Sequence, residues 1–82
     1  MYETTRISEA AALMALGCEL LGTRKAGPTT VAFALDADLQ AEEGRRVVAA
    51  VKSGEARVRL ADYWAAVDRC REIIRQMMEG RK

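Results

Sequence analysis

Residues 24–28, Arg-Lys-Ala-Gly-Pro, lie between two segments that alternate with a period of two, and no other feature constrains the fold as tightly. Upstream, Cys18, Leu20 and Gly22 alternate with Glu19, Leu21 and Thr23; downstream, Val31, Phe33 and Leu35 alternate with Thr30, Ala32 and Ala34. Such runs, joined through a Gly-Pro pair that holds the only proline of the chain, predict a β-hairpin. A two-stranded hairpin is not stable alone, so the rest of the chain must supply helices to pack on it. Val31, Phe33 and Leu35 are expected to face those helices. Ala32 and Ala34 then line the other face, which is either solvated or open to close approach by another chain.

Three helices are expected around the hairpin. The first covers 8–16, rich in Ala and Leu, with Thr5 or Ser8 as its cap and Gly17 as a left-handed stop. A continuous helix through Leu21 fits the apolar spacing as well. The second runs from about Ala37 to Ser53, with Asp36 as N-cap, acidic residues early, basic ones late and Gly54 closing it. Gly44 inside it is either a tolerated helix glycine, costing about 1 kcal/mol, or a point of close contact with the hairpin or a neighbouring subunit. The segment 55–59 is short and extended, a candidate third strand. The last helix, 60–79, places Tyr63, Val67, Cys70, Ile74 and Met77 on one stripe at spacings of four and three. Beside it runs a second row of Leu60, Trp64, Val67, Ile74 and Met78, wider than a simple seam requires.

A chain of 82 residues has room for one core and one domain. The ordered part is expected over about 5–79, with loose ends at 1–4 and 80–82. No apolar run is long enough to span a membrane. Acidic Glu3 and Glu9 stand where a signal peptide needs positive charge, so the expected location is cytoplasmic. Two cysteines 52 positions apart, Cys18 and Cys70, are then read as reduced core residues.

Catalytic chemistry finds little to work with. There is no histidine, which removes the usual base for a Ser or Cys nucleophile and the common zinc spacings. The carboxylate pairs Asp36/Asp38 and Glu42/Glu43 fall at a predicted helix N-terminus, where the helix dipole alone explains them. No phosphate-binding glycine motif occurs. Neither an enzyme nor a cofactor is therefore expected.

Binding remains. The charge is polarised along the chain: residues 1–43 carry three basic and seven acidic groups, a net of −4, and residues 44–82 ten and five, a net of +5. Local neutralisation, a basic face for an anionic partner and head-to-tail self-association all fit this division. Arg45, Arg46, Lys52, Arg57 and Arg59 cluster within fifteen positions, a candidate phosphate-binding face, and Arg69, Arg71 and Arg75 follow on the last helix beside Tyr63 and Trp64, whose rings could stack on bases. The last helix offers another candidate site, in which Tyr63, Trp64, Val67, Ile74, Met77 and Met78 form a protein interface. Its mixed charges, Asp68, Arg71, Glu72 and Arg75, suit an antiparallel contact with a second copy.

The stretch AAALMALGCELLG, then the alternating VAFALD strand and a GEARV segment leading into a tyrosine-containing helix, resembles a family of short uncharacterised proteins encoded in prokaryotic and phage genomes. The resemblance spans roughly residues 4–75. It rests on Ala11, Ala12, Leu13, Leu16, Gly17, Leu20, Phe33, Gly54, Val58 and Tyr63, which are fold positions rather than a site. Cys18 departs from the polar residue or histidine common there. The resemblance implies the helix, hairpin, helix, helix order and a mobile-element origin, and it transfers no activity.

The expectation is therefore one α+β domain in the order α-β-β-α-(β)-α, a hairpin packed against helices. Its expected role is a non-catalytic oligomerisation or protein-binding module, most simply a homodimer, with nucleic-acid binding through the arginine-rich face as the alternative.

Overall fold

A computed structural model, which describes residues 1–79, shows a small α+β fold. Its elements are β1 (Tyr2–Thr4), α1 (Ile7–Ala15), β2 (Leu20–Lys25), β3 (Val31–Leu35), α2 (Glu42–Ser53) and α3 (Leu60–Glu79). The third strand is at the N-terminus and not at 55–59, which holds no strand. The expected loose end at 1–4 is thus ordered through Thr4, while 80–82 lie outside the described residues. The sheet is antiparallel in the order β1-β3-β2, so β3 is paired on both sides.

Gly17 stops α1 as expected, at φ 98°, and the Cys18 amide donates back to the Leu13 carbonyl. That geometry excludes a helix continuing to Leu21. At the other end neither Thr5 nor Ser8 serves as cap: the Arg6 amide donates to Thr4 Oγ1 at 3.1 Å. Gly54, at φ 81°, closes α2, and the amides of Glu55 and Ala56 donate to the Ala50 carbonyl.

The start of α2 differs from expectation. Asp36 does not cap it, because residues 36–41 first form a connection in which Ala37 is only 4% exposed and belongs to the core. Asp38 Oδ1 accepts the Gln40 amide at 2.9 Å, a local turn that competes with helix formation. Gly44 then lies beneath this connection. A Cβ there would sit 2.0 Å from the Asp38 carbonyl oxygen, so the close contact is with Asp38 and not with the hairpin or another subunit.

Val31, Phe33 and Leu35 point into one core with Ala10 and Leu13 of α1, Val48 of α2 and Cys70 of α3. The helix side of the sheet is therefore the Phe33 side. Because α1 carries alanine at positions 10 and 11, both fully buried, α3 approaches it closely. Ala11 packs with Ala66 and Val67 in a second cluster flanked by Ile7, Met14 and Tyr63. The opposite sheet face carries Ala32, Ala34, Gly22, Glu3 and Arg24, and no helix side chain lines the shallow concavity over Ala34.

Candidate interaction site

The bounds of α3 agree with the sequence expectation, but its two apolar rows have different fates. Val67 is 4% exposed against Ala11 and belongs to the interior, not to a surface. Tyr63 is half-buried in the same cluster. Ile74, Met77 and Met78 pack, with Ile73, against the Phe33 core and are only partly accessible. Leu60 and Trp64, one helical turn apart, are left out at 66% and 52% exposure. Trp64 is held by an edge-to-face contact with Tyr63, the ring centroids 5.7 Å apart and the planes at 65°.

Charges of both signs lie near this pair, with Asp68 one turn beyond Trp64 on α3. Arg71 is seven residues beyond Trp64 and shares its stripe of the helix. Arg57 and Arg59 immediately precede the helix. Arg59 lies 4.0 Å from Asp62, while Arg57 and Arg71 form no ion pair among the described residues. Arg75 is engaged on its own helix by Glu72 and Glu79, which removes it from the cross-subunit pairing that its position suggested.

The five cations singled out for nucleic acid separate into groups. Arg45 donates to the Leu39 carbonyl at 3.0 Å, and Arg46 pairs with Glu42 at 2.7 Å. Lys52 turns towards β1, its Nζ 6.0 Å from the centre of the Tyr2 ring. There it joins Arg6 and Arg24 around an open polar cleft of about 520 Å³. Glu3 and Glu9 offset these charges. Glu9 Oε1 accepts hydrogen bonds from the Tyr2 hydroxyl and from Thr4 Oγ1, each at 2.9 Å. Only Arg57 and Arg59 adjoin the Trp64 helix end.

A second surface was not anticipated, since residues 36–41 read as the start of a helix. Where α1 ends, the connection 36–41 and the first turns of α2 enclose a cleft of about 310 Å³. Leu16, Cys18, Ala37 and Val47 line it with apolar surface, and Asp36, Asp38 and Glu43 supply negative charge. None of these three carboxylates has an ion-pair partner among the described residues. A hint was present in the acidic run 36–43, interleaved with Leu39 and the small residues at 37 and 41 and followed by Gly44.

Both cysteines are free. Burial pushes the Cys70 thiol up against the opposing effect of Arg69, and burial together with Asp36 pushes up Cys18, so both disfavour the thiolate a nucleophile needs. Among the described residues no cluster of His, Cys, Asp or Glu is arranged to hold a metal ion, and no helix is long and apolar enough to cross a membrane. No family model, curated protein or solved structure matches the chain.

Proposed function

We propose that this domain is a non-catalytic module that binds protein, and in the first instance a second copy of itself, with Leu60 and Trp64 as its anchor. The observation that carries this reading is the exposure of the only tryptophan, fixed edge-on by Tyr63 beside an exposed leucine. The size of the patch alone does not demand a cover, because monomers carry apolar patches of about 300–600 Å². Its composition is more telling. An exposed aromatic with an apolar neighbour and arginines on the same helix end is the make-up of energetic hot spots at interfaces. The sheet edge supports association less well. β2 carries a bulge between Leu20 and Gly22 and ends in Arg24 and Lys25, devices that oppose edge pairing.

Trp64 is its own reporter. On dilution from high micromolar to nanomolar concentration its fluorescence should shift to longer wavelength as the indole returns to water. An emission maximum independent of concentration contradicts the reading. Arg71 on the same helix stripe as an accessible indole favours single-stranded nucleic acid as the second reading, and salt-sensitive quenching by an oligonucleotide would select it.

A further inference from the structure

We infer that self-association is head-to-tail: Leu60 and Trp64 of one copy enter the acidic cleft between α1 and α2 of the next. The inference rests on the proposed self-association and specifies its geometry. The two surfaces are complementary in chemistry. One is an apolar projection on a helix end that Arg57 and Arg59 precede and on whose stripe Arg71 follows Asp68; the other is an apolar cleft of about 310 Å³ rimmed by Asp36, Asp38 and Glu43. A volume of this size is at the lower end of those that hold small organic ligands, and it accommodates one indole ring.

Along the chain, the projection and the cleft belong to opposite ends of α2. The cleft is formed by the first turns of α2, whereas Arg57 and Leu60 follow its last residue, Ser53. Twelve helical residues separate the two ends by about 18 Å. The polarised charge of the chain, acidic before Gly44 and basic after it, is what a heterologous contact uses. Such a contact leaves one free projection and one free cleft, so it closes into a ring or continues as a chain.

Two variants test this. Trp64→Ala with Arg71→Glu disables the projection, and Asp36→Lys with Glu43→Lys disables the cleft; all four positions are exposed, and circular dichroism checks that each variant folds. Each variant alone should sediment as one chain. An equimolar mixture should give a one-to-one complex of two chains and nothing larger, because each partner supplies the surface the other lacks. Wild-type assembly should also weaken as salt is raised. If the wild type assembles but the mixture stays monomeric, or if the cleft variant assembles alone, head-to-tail geometry is wrong while self-association stands. A wild type that sediments as one chain overturns self-association itself.

Discussion

Arg24 on β2 and Glu3 on β1 meet at 2.7 Å although they belong to strands that are not neighbours, since β3 lies between them. In register, Glu3 stands opposite Ala34 and Arg24 opposite Ala32, so the pair runs diagonally over two alanines. Larger side chains on β3 would block that path. Ala32 is only 1% exposed, consistent with the ion pair lying over it.

The guanidinium of Arg24 holds the Glu3 carboxyl below its ordinary value of 4.5. A lowered folded-state value means that the stabilisation is present above the ordinary value and is lost as pH falls through the lower one. Hydrogen exchange at the β1 amides should therefore accelerate, relative to α1, as pH falls below 4.5. Glu3→Gln should remove that pH dependence.

Gly44→Ala offers a test of sign. In an ordinary helix position the change stabilises by about 1 kcal/mol. Here the added carbon would lie 2.0 Å from the Asp38 carbonyl oxygen and 2.6 Å from its carbon, both backbone atoms. Urea denaturation should show a loss of about 1–3 kcal/mol as the connection 36–41 is displaced.

Glu9 ties β1 to α1 by accepting from both Tyr2 and Thr4. Glu9→Ala should cost about 1–3 kcal/mol, and a double-mutant cycle with Tyr2→Phe should reveal coupling, because each single change breaks the same bond. Burial, reinforced by Glu9, pushes the Tyr2 phenol above its ordinary value of 10.0. A raised folded-state value gives stability that is complete below the ordinary value and lost as pH rises through the higher one. The alkaline fall of the denaturation midpoint above pH 10 should be shallower in Tyr2→Phe.

The parts of this fold that were legible in the sequence are those with long local signals. From Tyr63 to Met77 α3 repeats one stripe without interruption, and Gly17 and Gly54 end helices by a conformation open to few other residues. The hairpin announced itself through its Gly-Pro turn and the period two of β3, but the expected alternation of Cys18, Leu20 and Gly22 fails: β2 begins at Leu20, and a bulge before Gly22 places Leu20 opposite Leu35 and Gly22 opposite Ala34, on different faces. β1 did not announce itself, because three residues carry no period and its partner is thirty positions away. Asp36 looked like a cap because capping is local, while the burial of Ala37 that displaced the helix start is tertiary. For the same reason the exposed members of α3 could not be separated from the buried ones: Val67 and Trp64 differ only in which of them faces Ala11. The acidic cleft arises from a connection whose shape no short-range pattern encodes.

The most direct test of the account is the mass of the wild-type chain in solution, by light scattering coupled to gel filtration at high micromolar concentration. The chain weighs 9.0 kDa. A mass of two or more chains that falls on dilution, and that Trp64→Ala returns to one chain without loss of helical content, is the predicted result. A folded wild type that stays at the mass of one chain throughout would show that Leu60 and Trp64 are simply solvated, and would contradict the account.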